Sequence, residues 1–208
     1  MSLLEDSWEQ REEQVYPELF GGTGEGIYPL DASLFKNQFG IDSVDPRWLH
    51  FGVFKCAPTS DRKTWVYVTS GMSNTWESDD PQEYSGFGTE FILETNDESD
   101  WAINTLRSLV AFNILVSVGH YGDKPLVDYG DRIPMKIEPN ISSLMVVKPN
   151  QFPESLDLIS GKVDMLQITG ITAQELDYAK ENSSEELANK LFESQGSFTI
   201  KPDRLGVI

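Results

Sequence analysis

Three stretches of the sequence contain residue types that could do chemistry, and none of them assembles a catalytic group. His120 and Asp123 form a lone pair that would suit a metal ion or acid–base work, but the chain has two histidines in all and no Cys, His or Glu cluster beside this pair. Ser85 lacks the glycine at position 83 that a lipase-type nucleophile elbow requires, because Glu83 stands there. We therefore predict neither a metal site nor a serine nucleophile.

The glycines at positions 21, 22, 24 and 26 do not form a phosphate-binding loop either. No Gly-Lys-Ser or Gly-Lys-Thr follows them and no predicted strand precedes them, so we interpret them as turn residues. Because no catalytic residues, metal ligands or cofactor motif can be assembled, an enzyme is the least favoured class, and we predict no cofactor.

Two loops are the candidate partner-binding sites. The first, which we call the acidic loop, spans residues 77–83, and its carboxylates are those of Glu77, Asp79, Asp80 and Glu83. The second follows the predicted central helix and contains Tyr121 and Asp123. Charge runs are usually solvated, and Asp after Gly is common turn chemistry. A purely structural role therefore stays open for both loops.

The composition predicts a folded, acidic protein. Its 208 residues are 39% hydrophobic, which suffices for one core, and its formal net charge is −18. Such a charge disfavours nucleic acid and anionic membranes as partners and favours basic proteins. The single cysteine, Cys56, fits a reducing compartment, and the amino terminus lacks the basic and apolar segments of a signal peptide. We expect a cytoplasmic location.

Hydrophobic patterning predicts an α+β fold. Strand-like segments lie near residues 50, 65, 90, 145 and 165, and helices are expected at about 101–113 and 172–192. The segment Val163–Ile168 has apolar residues on both faces, which is typical of a strand covered on each side. We predict a mixed, mainly antiparallel sheet with the helices packed against it.

Capping patterns predict where the helices begin. Residues 172–175 and 183–186 have the spacing of capping boxes. Ser7 with Gln10 predicts the start of an amino-terminal helix that runs to about Glu18 and lies on the surface, and Asp100 is the predicted N-cap of the central helix.

Four stretches, in order along the chain, resemble the suppressor-of-fused (SUFU) domain. They are a strand with its turn, a glycine-rich strand start, a Gly-Asp pair after the central helix, and a final strand with its helix. Their residues are Trp65-x-Tyr67-x-Thr69-x-Gly71-Met72-Ser73, Ser85-Gly86-Phe87-Gly88-x-Glu90, Gly122-Asp123, and Leu166-Gln167-Ile168-x-Gly170-Ile171-Thr172-x-x-Glu175-Leu176-x-x-Ala179. We expect tight turns at the glycines that stand at strand ends, which are Gly71, Gly86, Gly88 and Gly170.

The resemblance divides the chain into two parts. Residues 1–46 are expected to form an amino-terminal helix and a glycine-rich lead-in, and residues 47–208 a SUFU-like domain, together making one compact unit. Members of this family are binding proteins without a known catalytic centre, and the animal members hold transcription factors of the Hedgehog pathway between two domains. The present sequence resembles the first of those domains.

A stand-alone, acidic form is similar to the bacterial branch of the family, whose members are largely immunity proteins that neutralise polymorphic toxins. The leading hypothesis is therefore an immunity protein that binds a toxin directly, with basic nucleases as one target class. The alternative is an adaptor that binds an extended peptide of a regulatory protein or transcription factor along an exposed sheet edge. Asp123 would be a polar anchor in either case.

Overall fold

The computed structural model describes residues 2–208 and is organised around one mixed sheet. Its strands are β1 (Ile27–Pro29), β2 (Gly52–Cys56), β3 (Trp65–Ser70), β4 (Tyr84–Thr95), β5 (Arg132–Ile133), β6 (Ser143–Val147), β7 (Ser155–Leu158) and β8 (Gly161–Ile171). They lie in the order β1-β2-β3-β4-β8-β6-β5, and β7 pairs with the first half of β8. The β4–β8 pair is parallel and the other pairs are antiparallel, so the predicted mixed, mainly antiparallel sheet is confirmed.

Helices cover both faces of the sheet. They are α1 (Leu3–Glu9), a π-helical segment (Gln10–Val15), α2 (Tyr16–Phe20), α3 (Ala32–Phe39), a 3₁₀ turn (Pro46–His50), α4 (Asp100–Ser117), α5 (Ala173–Glu181) and α6 (Ser184–Gln195). The predicted capping box at Thr172 and Glu175 is present in both halves, and the Ser183 side chain accepts from the N–H of Glu186. Within residues 2–208, no helix combines the length and the apolar character needed to cross a membrane.

Alternation along the strands sends side chains into cores on opposite faces of the sheet. Val53 of β2 belongs to the core under α3 and α4, whereas its neighbour Phe54 packs with Tyr16 and Phe20 of the amino-terminal helix. At the other end of the sheet, α5 and α6 pack on β6 and β8 through a third apolar cluster. The strand β8 is thus covered on both faces, as its sequence predicts.

The amino-terminal helix differs from the prediction. It begins at Leu3 with Ser2 as N-cap, not at Ser7, because Ser2 and Glu5 form the capping box that Ser7 and Gln10 were expected to form. Ser7 is instead buried inside the helix.

A π-helical segment explains which face of this helix is buried. The buried residues Ser7, Arg11, Tyr16 and Phe20 are four, five and four residues apart. The wider step falls across the π segment, where the N–H of Tyr16 donates to the carbonyl of Arg11. Pro17 has no N–H to continue an α-helical bonding pattern, which favours a change of register there. The predicted surface helix therefore packs its polar Arg11 into the protein.

Several short elements are absent from the sequence prediction. The expected glycine-rich lead-in before residue 47 contains β1 and the whole of α3, which begins after the N-cap Asp31 and has Gly40 as its C-cap. The N-cap of α4 is Ser99 and not Asp100; its N–H donates to the hydroxyl of Tyr67 at 2.7 Å. A tertiary hydrogen bond therefore helps to fix the start of α4.

Candidate functional site

The loop between β3 and β4 forms one wall of a groove. The N–H of Asn74 donates to the carbonyl of Gly71 at 3.0 Å, and the N–H of Phe87 donates to the carbonyl of Met72 at 2.7 Å. These bonds fix the turn after β3, residues 71–74, beside the first residues of β4. A groove of about 500 Å³ lies between this loop, the 3₁₀ turn, the start of β4 and the end of α4.

Five aromatic side chains line this space, which we call the aromatic groove. They are Trp48, Phe51, Trp76, Tyr84 and Phe87. Ile114, Ser117 and Val118 of the α4 end complete the lining. Tyr84 is 42% exposed and Val118 is 57% exposed, so apolar surface at the groove is open to solvent. Exposed aromatic surface of this kind is typical of binding sites.

The acidic loop forms part of the rim of the aromatic groove. Its four predicted contact residues, Glu77, Asp79, Asp80 and Glu83, are all exposed. Glu77 also lines the groove and pairs with Arg47 at 2.7 Å, while Arg47 pairs with Asp45 at 2.9 Å. In the described chain no ion pair involves the other three carboxylates. The one guanidinium at the groove is therefore neutralised, and the acidic loop beside the groove keeps three unpaired carboxylates.

Three consecutive residues of the groove wall have buried polar atoms without a hydrogen-bond partner among residues 2–208. These atoms are Asn74 Nδ2, Thr75 Oγ1 and Trp76 Nε1. Asn74 and Thr75 are only 5% and 7% exposed. The Asn74 amide has a fixed orientation, because its Oδ1 accepts from Arg11 Nη2 at 2.9 Å and a guanidinium can only donate. These atoms are sealed from solvent, so they lie behind the surface of the groove and are not open to it.

A buried ion pair supports the wall from behind. Arg11 Nη1 donates to Ser73 Oγ at 2.7 Å, and Ser73 Oγ donates to Glu90 Oε1 at 2.7 Å. Glu90 also accepts from the N–H groups of Gly71 and Ser73 and from Thr69 Oγ1. The Arg11 and Glu90 side chains are 1% and 0% exposed. Glu90 of the β4 motif therefore binds Gly71 and Ser73 of the β3 motif, although the two motifs are separate in the sequence. Arg11 of the amino-terminal helix supplies the opposite charge.

The second predicted loop lies beyond the end of α4. Tyr121 and Asp123 are exposed, and the Tyr121 ring packs against Phe112 with 5.2 Å between centroids. Neither residue lines the aromatic groove, although Val118 does. The geometry therefore does not merge the two predicted loops into one site. Across residues 2–208, no group of three or more His, Cys, Asp and Glu side chains is arranged to hold a metal ion.

The motif residues on β3 and β4 serve in packing. Tyr67 is fully buried, and Trp65 is partly buried with the Lys55 ammonium 5.7 Å from its ring centroid. Ser85 is buried and its hydroxyl donates to the carbonyl of Ser73 at 2.7 Å. Ser85 thus ties the start of β4 to the groove wall.

The predicted tight turn is confirmed at Gly71, but the prediction is wrong at Gly86 and Gly88, which lie inside β4 where its pairing with β8 is irregular, and at Gly170. The φ angles of Gly71, Gly86 and Gly88 are +127°, +57° and +75°. Gly170 lies inside β8, paired with Leu144, and is not among the residues with positive φ. A Cβ at Gly170 would come within 3.0 Å of the Ile141 side chain. Close packing, and not a turn, therefore favours glycine there.

Two further buried carboxylates have opposite pKa shifts. Gln167 and Thr64 donate to Glu94 at 2.9 and 2.8 Å, yet burial raises the pKa of Glu94. Burial would also raise the pKa of Glu175, but hydrogen bonds, first of all from Arg204, outweigh burial and lower it. Glu175 is therefore stabilised as an anion, whereas Glu94 is not.

The aromatic groove is the part of the site that the sequence analysis missed. The strand predicted near residue 50 begins at Gly52, so that Trp48 lies in the 3₁₀ turn before it, and Asn74, Thr75 and Trp76 are not among the predicted site residues. The available signal was the polar Asn-Thr-Trp sequence directly between the Gly-Met-Ser turn and the acidic loop.

Solved structures of the same fold were found, whereas a comparison with curated protein sequences gave no match. The Sufu-Fu complex structure matches with a TM-score of 0.64 and 19% identity, over 99% of this chain and 92% of that chain. A SUFU homologue from Neisseria gonorrhoeae matches with a TM-score of 0.64 and 20% identity, over 97% of each chain. The structure of Drosophila Suppressor of Fused matches with a TM-score of 0.57 and 19% identity. The match covers 76% of this chain but only 42% of the Drosophila chain.

At these low sequence identities, structural similarity shows only a shared fold. Membership of a family is shown by a match between this sequence and the model of that family. Residues 47–205 match the family described as Suppressor of fused protein (SUFU). The match covers more than half of the chain and includes all four motifs that suggested the resemblance. The chain therefore belongs to the suppressor-of-fused family.

Proposed function

We propose that this chain is a non-catalytic protein-binding module that acts as an immunity protein and neutralises a basic toxin domain by direct binding. The observation that carries the proposal is the acidic loop at the rim of the aromatic groove. Exposed carboxylates beside the exposed Tyr84 and three partly buried aromatic side chains combine charge with an apolar anchor site, which is the usual anatomy of a protein interface.

Electrostatics supports a basic partner. With a formal net charge of −18, the chain repels acidic surfaces and attracts basic ones at long range. Asp79, Asp80 and Glu83 are exposed in the same loop as the groove-lining Glu77, where they would orient a basic surface as it approaches. In a nuclease, the basic surface that holds nucleic acid is the part such a loop would cover. Binding would then block the substrate site directly.

The comparisons support a protein as the partner. The Sufu-Fu complex structure contains a relative bound to another protein. The Neisseria gonorrhoeae homologue, which matches over 97% of each chain, supports the comparison with bacterial members. Cys56 is buried and burial raises the pKa of its thiol to about 12, which fits an unreactive thiol in the cytoplasm.

The alternative, an adaptor that adds a peptide strand to a sheet edge, has less support. The outer strands β1 and β5 have three and two residues, and Pro29 removes a donor from β1. The Gln10 side chain bonds to the carbonyl of Asp157 in β7 and to the N–H of Ile159. Strand addition at these edges would make few main-chain hydrogen bonds.

A pull-down of the tagged chain from its native cells, at low and at high salt, tests the proposal. We expect a basic toxin domain that salt releases and whose activity is lost when the complex is reformed. A regulatory protein held through one short segment would favour the adaptor instead. Recovery of an acidic or salt-insensitive partner would contradict the proposal.

A further inference from the structure

We propose that a second groove, at the end of β4 opposite the aromatic groove, binds a small molecule that carries a phosphate group. Tyr84 at the start of β4 lines the aromatic groove, and Asn96, which follows the last residue of β4, lines the second groove. This site is separate from the protein-binding function proposed above, so either can fail without the other.

Unpaired cations point to this second groove. Ten of the 16 Lys and Arg residues form ion pairs within residues 2–208. The six without such a pair are Arg62, Lys63, Lys124, Arg132, Lys190 and Lys201. Arg62, Lys63 and Lys201 line one groove of about 660 Å³, which we call the basic groove. Unpaired positive charge is thus concentrated at one place in a chain whose formal net charge is −18.

Arg62 is fixed at the basic groove without a counter-ion. Its Nη1 donates to the carbonyl of Thr64, and its Nη2 donates to the carbonyls of Phe20 and Ala57 at 2.7 and 2.9 Å. These carbonyls orient the guanidinium but do not cancel its charge. Burial lowers the pKa of Arg62, which reflects the cost of holding a charge away from water. An anion in the basic groove would offset that cost.

Two carboxylates also line the basic groove, but they leave its cations unpaired. Glu18 and Asp61 are exposed and form no ion pair within the described chain. Arg62 and Lys201 are partly buried, so salt screens their charges less. The ligand is therefore a compact anion and not a polyanion such as nucleic acid, which the net charge of the chain repels.

Hydrogen-bond donors at the basic groove favour phosphate among compact anions. Thr199 lines the groove and is only 4% exposed. Its hydroxyl forms no hydrogen bond among residues 2–208 and, unlike the Asn74 amide, it is not sealed from solvent. Asn96 and Gln151 add amide N–H groups to the lining. A phosphate monoester has three strong acceptor oxygens and a charge of about −1.5 to −2 at neutral pH, whereas a carboxylate has two oxygens and one charge.

The size and lining of the basic groove leave room for an organic part of the ligand. Its volume of about 660 Å³ lies within the range of small-molecule sites and exceeds what a phosphate group fills. Leu19 and Phe152 give it an apolar wall, and the Phe152 ring packs edge-to-face on Phe20 with 5.3 Å between centroids. We therefore expect a phosphate monoester, with its phosphate beside Lys63 and Lys201.

Isothermal titration calorimetry on the full chain tests the proposal. The probes are inorganic phosphate, glycerol 3-phosphate, glucose 6-phosphate and adenosine monophosphate, all at one ionic strength because screening alone alters weak electrostatic binding. We expect saturable binding of at least one ester, with higher affinity than inorganic phosphate.

Two pairs of substitutions separate the basic groove from the net charge. Lys63→Gln with Lys201→Gln should weaken binding of the ester by about tenfold or more, because two charged donors are lost. Lys124→Gln with Lys190→Gln is the matched control, since both residues are exposed, have no ion pair and lie outside the basic groove. The control should retain the natural affinity, because distant exposed charges are screened.

Thr199→Val tests the hydroxyl without a change of charge. It should weaken binding of the ester by about threefold to tenfold, because it removes one donor and keeps the side-chain shape. The hydroxyl has no partner within the described residues, so the thermal denaturation midpoint without ligand should stay the same or rise.

Absence of saturable binding of every probe up to about 10 mM would overturn the proposal. So would equal affinity of the Lys63 and Lys201 variant and the natural protein, or equal weakening in both pairs, which would assign binding to the net charge. Inorganic phosphate that binds as tightly as every ester would reject the organic part of the ligand and keep the anion site. None of these results alters the pull-down, so the proposed immunity function is tested separately.

Discussion

Arg11 and Glu90 lie in the core with 4.0 Å between guanidinium Nη1 and carboxylate Oε1, and the hydroxyl of Ser73 bridges them. Glu90 lies within the range that matches the family, residues 47–205, whereas Arg11 lies before it. The amino-terminal helix thus contributes the cation for a buried carboxylate of the family domain and holds the turn after β3.

Replacing Arg11 by Met should lower the free energy of unfolding by about 3–5 kcal/mol, because Glu90 would remain buried without its cation. Chemical denaturation at neutral pH measures this loss. The double variant Arg11→Met with Glu90→Gln should recover part of it, since the buried charge is then absent. Equal stability of the single variant and the natural protein would contradict a stabilising role of the pair.

The burial of Arg11 also shows where pattern reasoning on a helix fails. With about 3.6 residues per turn, Trp8, Val15 and Leu19 share one face of a regular helix, which predicts that this face is the buried one. The π segment shifts the register, so that Arg11 and Tyr16 are both buried although they are five residues apart. A register change of this kind has no periodic signature in the sequence.

The rest of the fold shows the same contrast. Elements with a clear pattern within one segment can be predicted from the sequence, whereas features that depend on contacts between distant segments cannot. The long apolar runs of β4, β8 and α4 are visible in the sequence, whereas β5 has only two residues and little pattern. The exposure of the acidic loop is also predictable from its composition. The aromatic groove is not, because its walls come from segments near residues 48, 76 and 116 that meet only in the folded chain.

Gly86→Ala should destabilise the protein more than Gly170→Ala. A Cβ at Gly86 would lie 2.6 Å from the backbone oxygens of Met72 and Asn74, and its φ of +57° is strained for other residues. We expect a loss of about 1–3 kcal/mol. At Gly170 the nearest atoms belong to the Ile141 side chain, which can shift, so the loss should be smaller. Thermal denaturation of both variants gives the comparison, and the reverse order would contradict it.

Glu94 should make the protein less stable as the pH rises towards neutral. Burial raises the pKa of Glu94 above its ordinary value of 4.5, so the folded state holds this proton more tightly than the unfolded state does. The resulting stability is present below the unfolded pKa and is lost as the pH rises through the folded pKa.

The variant Glu94→Gln mimics the protonated acid and should gain stability relative to the natural protein between about pH 5 and pH 8. Its amide can also donate to Gln167 Oε1, which has no partner among residues 2–208, if the Gln167 amide turns over. Urea denaturation of both proteins across this range measures the difference. Parallel stability curves would show that the pKa of Glu94 is not raised in the folded protein.

Neutralising the acidic loop should slow association with a basic partner and flatten the salt dependence of the on-rate. The variant replaces Glu77 and Glu83 by Gln and Asp79 and Asp80 by Asn, which removes the four exposed charges of the acidic loop. Rim charges act mainly through steering, so the on-rate should fall more than the off-rate changes. Stopped-flow association with the captured partner domain at low and at high salt measures both effects.

A matched control distinguishes the loop from the net charge of the whole chain. Replacing the exposed residues Glu9, Glu13, Glu181 and Glu193 by Gln removes the same number of charges at positions that do not line the aromatic groove. If the loop steers the partner, this control should retain most of the natural on-rate at low salt, because charges farther from the interface are screened. Equal slowing in both variants would assign the steering to the net charge and remove the acidic loop from the binding surface.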